Sequence, residues 1–187
     1  MKVLGVSASP RPDGNTDTLV RRSLLGCRKH GAETKFVSLR DLEISPCAGH
    51  SNCKDTTKCA FSDDFLPLCA EFLSADAVIL ATPVYYWNMS AHLKTFIDRN
   101  YFNYTHDKHM QAKAAGIIIV AASSGFEETE QAVKSFLLRS GQFKAPAENV
   151  RVLRALASKP TDAANSAELL KASELLGEDL ARLCQIC

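Results

Sequence analysis

The chain has 187 residues, 46% apolar and 23% charged, with 22 basic against 21 acidic side chains and a formal net charge of +1. This is the composition of an ordinary folded domain, which excludes disorder, collagen and fibre, and the balanced charge provides no basic footprint for nucleic acid. A core of this size forms without a disulfide or structural metal, so a metal site here is expected to be functional.

The longest apolar run, Ala114 to Ala122, is nine residues, about half of a bilayer span, so no transmembrane helix is expected. The N-terminus turns polar at Ser7, too soon for a secretory signal, and a cytoplasmic protein is expected. Seven cysteines cannot all pair within one chain. In a reducing compartment they read as metal ligands, redox groups or small core residues.

Lys2 to Val6 is a short apolar strand, followed by a Ser/Pro/Gly/Asn cluster. Asn15 or Thr16 can cap a helix from Asp17 to His30, which Gly31 stops. Thr34 to Leu39 reads as a second strand, and residues 41 to 63 form a long Cys-rich segment without periodicity. A connection of that length in a compact domain usually carries function. After Asp63 and Asp64, the apolar residues Phe65, Leu68, Cys69, Phe72 and Leu73 recur at helical spacing as far as Ser74. Ala77 to Ala81 is a continuous apolar strand, Ser90 to Arg99 a helix, and Asn100 to His109 an aromatic, polar loop. Ala115 to Ala121 is a strand, Phe126 to Ser140 a helix, Asn149 to Ala155 a strand and Ala163 to Leu183 a long terminal helix.

Strand and helix alternate throughout, and runs such as AVILA and GIIIV suit strands covered on both faces. Right-handed crossovers then predict one α/β domain over residues 1–187: a doubly wound, five-stranded parallel sheet in the flavodoxin-like order 2-1-3-4-5, with helices on both faces and a Cys-rich insertion at about 45–62. A ligand in such a sheet lies beyond the carboxyl ends of the strands. The loops that begin at residues 7, 82 and 122 are therefore the candidates.

Ser7-Ala8-Ser9-Pro10-Arg11-Pro12-Asp13-Gly14-Asn15-Thr16 follows the first strand and runs directly into a helix. Hydroxyls, a guanidinium and unpaired helix N-terminal amides suit a phosphate; a Ser/Asn-capped turn with an exposed Arg is the plainer alternative. The loop holds neither G-x-x-x-x-G-K-[ST] nor G-x-G-x-x-G, which excludes a P-loop NTPase and a dinucleotide fingerprint. It has no cysteine for a Cys-x5-Arg phosphatase. Ser7 and Thr82 stand where a phosphoacceptor receiver domain needs acidic residues.

This loop, together with Thr82-Pro83-Val84-Tyr85-Tyr86 and Leu93-Lys94-x-Phe96-Ile97-Asp98-Arg99, resembles the NAD(P)H-dependent FMN reductase family, and more narrowly its iron–sulfur flavoprotein branch, from residue 1 to about 140. The resemblance implies a flavodoxin-like fold that binds FMN. Carried over by position, Ser7, Ser9, Arg11, Asn15 and Thr16 would hold the phosphate. Pro83, Val84, Tyr85, Tyr86, Trp87 and Asn88 would line the isoalloxazine and ribityl chain, and Ser123, Ser124 and Gly125 would close the pocket. The physical reading agrees, since backbone amides of a Pro-started turn can bond the ring's polar edge while aromatics supply an apolar wall. For the aromatics, core packing or a dimer contact is the alternative.

Cys47, Cys53 and Cys59 fall within thirteen residues, with His50 between the first two. In the iron–sulfur branch this loop ligates a four-iron cluster through four cysteines, and His50 stands at the second of those positions. Three readings stay open: a cluster held with or without His50, a Cys3His zinc site, or bare thiols. Cys27 and Cys69 lie on predicted helices and read as core. Cys184-Gln185-Ile186-Cys187 is a C-x-x-C that lacks the strand and helix of a thioredoxin-like site, and admits a redox or metal role.

The function expected is an FMN-dependent oxidoreductase that passes electrons from NAD(P)H, or from a ferredoxin-like donor through the cluster, to a flavin, quinone or other acceptor. The flavin carries the chemistry, so no catalytic side chain is assigned. A non-enzymatic electron carrier or redox sensor and a zinc-stabilised binding module are the alternatives. By resemblance, a homodimer or homotetramer is expected, with Asn100 to His109 at a subunit boundary and no membrane or nucleic-acid partner.

Overall fold

The computed structural model describes residues 1–186, so Cys187, one end of the C-x-x-C, lies outside the described residues. The strands are β1 (Lys2–Ser7), β2 (Glu33–Ser38), β3 (Ala77–Tyr85), β4 (Asn88–Met89), β5 (Ala114–Ala121) and β6 (Val150–Leu156). The α-helices are α1 (Asn15–Arg28), α2 (Phe65–Ser74), α3 (Ala91–Arg99), α4 (Tyr101–Thr105), α5 (Phe126–Arg139), α6 (Asp162–Asn165) and α7 (Ala167–Ile186). Five strands pair in parallel in the order β2-β1-β3-β5-β6, the doubly wound order expected. The sixth, β4, was not expected and pairs antiparallel with the end of β3.

Side chains alternate across the strands, so each strand feeds two cores. On one face Leu4, Val6, Leu80, Ile117 and Ile119 pack beneath α2, α3 and α5 through Phe65, Phe72, Leu93, Phe96 and Val133. On the other, Val3, Ile79, Ile118 and Val120 meet Leu19, Leu24, Leu176 and Leu180 of α1 and α7. Both faces are dry, which is why β3 and β5 read as unbroken apolar runs. Among the described residues no helix is long and apolar enough to cross a membrane.

Helices α1 and α7 touch backbone to backbone, because Gly26 and Gly177 face each other's partner helix. A Cβ on Gly177 would lie 1.8 Å from the Ser23 carbonyl oxygen, and one on Gly26 2.1 Å from that of Glu174. Ser23 and Ser173 share a buried hydroxyl contact at 2.8 Å between the same helices. Glu174 pairs with Arg22 and Lys29 at the edge. Gly177→Ala is expected to destabilise the chain by about 1–3 kcal/mol, toward the upper end because the blocking atoms are main chain and cannot rotate away. Urea unfolding checks this, and an unchanged midpoint would show that the helices separate without cost.

Four sequence expectations are corrected. Neither Asn15 nor Thr16 caps α1: the cap position is Gly14, and no side chain bonds the first-turn amides. Asn15 is instead the first helical residue, and its amide donates to Lys159 O at 2.7 Å and accepts from Ala163 N at 2.9 Å. The third strand runs to Tyr85 rather than Ala81, held there by β4. The terminal helix is broken at Ser166, whose backbone is extended and whose Oγ accepts from Leu169 N at 3.2 Å to start α7. The aromatic loop after Arg99 contains α4, a short helix tied down by Asn100 and His106.

Candidate functional site

The loop after β1 is organised from behind by a buried carboxylate. Asp17 accepts from Ser7 Oγ at 2.5 Å, from Asp13 N at 3.0 Å and from Arg40 Nη1 at 2.8 Å. Arg40 also donates to the carbonyls of Arg11 and Ser9 at 3.2 and 3.4 Å. Within the loop, Ser9 Oγ accepts from Arg11 N at 3.1 Å and donates to Arg11 O at 3.0 Å. These bonds spend the loop's carbonyls on Arg40 and Ser9. The first-turn amides of the fourteen-residue helix α1 have no side-chain cap, which leaves a partial positive charge and free donors at its start.

That helix start opens on a cavity of about 180 Å³ bounded by Ser9, Arg11, Gly14, Asn15, Thr16, Pro83, Val84 and Tyr85. Ala157, Ser158 and Pro160, from the loop after β6, complete it. The sequence reading missed this fourth wall. Its only signal was position, at the carboxyl end of a strand next to the one carrying Ala122. Ser7 does not face the cavity, since its hydroxyl is turned to Asp17.

A second cavity of about 280 Å³ adjoins the first, sharing Val84, Tyr85 and Ala122, and adds Tyr86, Trp87, Ser123 and Ser124. Its rim is the two-residue turn between β3 and β4, where Tyr86 and Trp87 have φ of 48° and 59°. Such turns favour Asn-Gly, and a side chain in the left-handed region costs about 1–2 kcal/mol. Tyr86 is 94% exposed and Trp87 59% exposed, so burial does not offset that strain; strain of this kind gathers at ligand sites. Gly125, at φ 90°, packs under the turn, where a Cβ would meet Val84 at 2.7 Å and Trp87 Cα at 3.0 Å. Asn88 pairs across from Tyr85 and accepts from Met89 N at 2.8 Å, and is not part of either cavity wall. Thr82 and Ser90 lock the base: Thr82 Oγ1 accepts from Ser90 N at 2.9 Å, and Ser90 Oγ donates to Ala8 O at 2.7 Å.

Cys47, His50, Cys53 and Cys59 all line a third cavity, of about 230 Å³, formed by the insertion against α3 and α4. The insertion is tied down at both ends. His106 places its ring nitrogens 2.6 Å from Thr56 O and 2.7 Å from Phe102 O. Arg99, 1% exposed, donates to Ser45 O at 2.8 Å and forms a two-pronged pair with Asp63 at 2.5 and 3.1 Å. Burial raises the pKa of Asp63, but the Arg99 guanidinium and the Ser45 and Phe65 amides outweigh it and hold the carboxyl below the usual carboxylate range. The sequence reading placed Asp63 at a helix start and Arg99 in the Leu93–Arg99 motif, and gave neither a role in the site.

Tetrahedral zinc needs four donors about 2.0–2.3 Å from one point. Among the described residues no three His, Cys, Asp or Glu side chains converge in that way. The three thiols and the imidazole share one cavity and are the donor types of an iron–sulfur cluster as well as of a Cys3His zinc site. Cys27 and Cys69 are buried as expected; burial pushes the Cys27 thiol up to about 12 and raises that of Cys69, so both are poor nucleophiles. Cys184 donates to Asp76 O at 3.3 Å.

Residues 1–151 match the model of the NADPH-dependent FMN reductase family. The chain is 41% identical over 140 residues to an iron–sulfur flavoprotein of Methanocaldococcus jannaschii, covering 74% of this chain and 72% of that protein. Among solved structures it is similar to an NAD(P)H:quinone oxidoreductase from Methanothermobacter marburgensis, with a TM-score of 0.73 at 14% identity over 96% of this chain and 98% of the other. A flavodoxin from the domain Archaea superposes with a TM-score of 0.61 at 15% identity, covering 99% of each chain. The chain thus belongs to the NADPH-dependent FMN reductase family and is an FMN-dependent oxidoreductase with a flavodoxin-like fold.

Proposed function

We propose that FMN binds across the two adjoining cavities, its phosphate on the start of α1 and its ring under the Tyr85-Tyr86-Trp87 turn. The observation that carries this is the uncapped N-terminus of α1, which opens with Ser9 and Arg11 into a cavity that adjoins the aromatic one. Ser9, Arg11, Thr16 and the first-turn amides neutralise the phosphate, while Ser7 and Asn15 act one step back by fixing Asp17 and the loop after β6. Pro83, Val84, Ser123, Ser124 and Gly125 shape the cavity floor, and Asn88 holds the turn. Bound FMN supplies hydride and single-electron chemistry; the protein orients it, shields one face and leaves the exposed rim open to NAD(P)H and to a flavin or quinone acceptor.

We propose further that Cys47, Cys53 and Cys59, with His50 as the fourth donor, hold an iron–sulfur cluster that serves a ferredoxin-like donor. The three thiols and imidazole that line one cavity, together with the likeness to an iron–sulfur flavoprotein, support this reading. For the flavin site, Ser9→Ala combined with Arg11→Ala is expected to weaken FMN binding about 100-fold or more, because two hydrogen bonds to a charged group are lost and each is worth about 1.5–3 kcal/mol. Flavin titration and steady NAD(P)H oxidation with a quinone measure it. Unchanged affinity in the double variant would move the phosphate elsewhere.

A further inference from the structure

Arg99 makes more contacts than its ion pair requires. Its Nη1 is satisfied by Ser45 O and Asp63, and one side of Nη2 by Asp63. The other side of Nη2 reaches Cys59 Sγ at 3.3 Å. Its Nε is buried with no acceptor among the described residues. The guanidinium lies 4.6 and 4.7 Å from the ring centroids of Phe61 and Phe65, which keep water from it. A neutral thiol is a weak acceptor and gives little return for aiming a buried guanidinium at it. A metal-bound cysteine is a thiolate, for which the same contact is a charge-assisted hydrogen bond.

We infer that Arg99 is a positioning residue for the group held in the Cys47–Cys59 cavity, donating from Nη2 to the sulfur of Cys59 and thereby favouring the more negatively charged, reduced form of that group. This rests on the iron–sulfur reading above. Hydrogen bonds to ligand sulfurs are one of the levers that set cluster potential. Asp63 fixes the direction of the fork, since its two-pronged pair leaves Nη2 only one free side, and that side faces Cys59. Lysine keeps the charge but presents a single nitrogen, which cannot grip Asp63 on both oxygens and also reach Cys59.

The test compares wild type with Arg99→Lys, both purified without oxygen and reconstituted with iron and sulfide. Iron, sulfide and FMN content, the reduction potential from dye-mediated titration and the rate of iron loss to a chelator are read. Arg99→Lys is expected to keep its FMN, to reduce at a more negative potential and to lose iron about tenfold faster, the usual scale for an outer-sphere partner. Equal potential and equal iron loss in the two proteins would overturn the role of Arg99 while leaving the cluster in place. Wild type that takes up FMN but no iron or sulfide would overturn the cluster reading itself, and the inference with it. If the variant loses FMN and helicity, pulsed electron paramagnetic resonance on reduced wild type carrying isotopically labelled arginine replaces the comparison. Among the described residues Arg99 is the one arginine lining the cavity, so a nitrogen coupling supports the inference and its absence overturns it.

Discussion

Asp63→Asn is expected to lower the unfolding free energy by about 3–5 kcal/mol near neutral pH, the range for removing one partner of a buried ion pair. The loss comes less from the missing attraction than from the charge left behind. Arg99 is 1% exposed and would keep Ser45 O, the Cys59 sulfur and one neutral amide oxygen, with no carboxylate to balance its charge. The effect has a pH signature. The folded-state pKa of Asp63 lies below its ordinary value, so its contribution is fully present above the unfolded carboxylate pKa of about 3.9 and is lost as pH falls through the folded value. Urea unfolding of wild type and variant should therefore differ most at about pH 6–7 and converge in acid as the pH falls through the folded value. A gap that stays constant across that range would mean that the variant acts through packing and not through the charge. Because Asp63 also bonds Ser45 N at 3.0 Å, the variant is expected to loosen the start of the cysteine loop before it touches the flavin site.

Much of the fold is legible in the sequence because burial on both faces leaves a simple mark. Ala77 to Ala81 and Ala115 to Ala121 carry no polar residue, and only a sheet covered twice tolerates that. The mark fails where tertiary contacts override local preference. Tyr86 and Trp87 adopt left-handed backbone without the Asn-Gly that announces such a turn. Helix α4 is five residues long, too short to declare a period, and exists because Asn100 and His106 bond around it. The candidate site is legible as three loops, because a ligand must lie where the strands end. The charged residues that shape those loops are not. Asp17, Arg40, Asp63 and Arg99 look like ordinary polar positions until their partners are seen. Arg99 alone left a trace: spaced three and six residues from Phe96 and Leu93, it falls on the buried face of α3, where an arginine needs a partner.

Arg40→Met is expected to weaken both the apo-protein and its grip on FMN. The Asp17 side chain is 1% exposed and that of Arg40 15% exposed. Removing the guanidinium leaves a buried carboxylate with only the Ser7 hydroxyl and the Asp13 amide as donors. Those two bonds temper the loss, which is placed at about 3 kcal/mol, the lower end for a broken buried pair. The second consequence is local. The carbonyls of Ser9 and Arg11 both point at Arg40, and each precedes a proline that can donate nothing in return. Without Arg40 the Ser9 carbonyl loses its partner and the Arg11 carbonyl keeps only the Ser9 hydroxyl, so the loop can turn its carbonyls toward the phosphate. Carbonyl oxygens facing an anion repel it, so FMN affinity is expected to fall about tenfold in addition to the stability change, a cost near 1.4 kcal/mol. Denaturant titration of the apo-protein and flavin titration of the folded protein separate the two. A stability loss with unchanged FMN affinity would make Arg40 a partner for Asp17 alone; loss of both would make the Arg40–Asp17 pair the reason this loop presents amides, and not carbonyls, to its ligand.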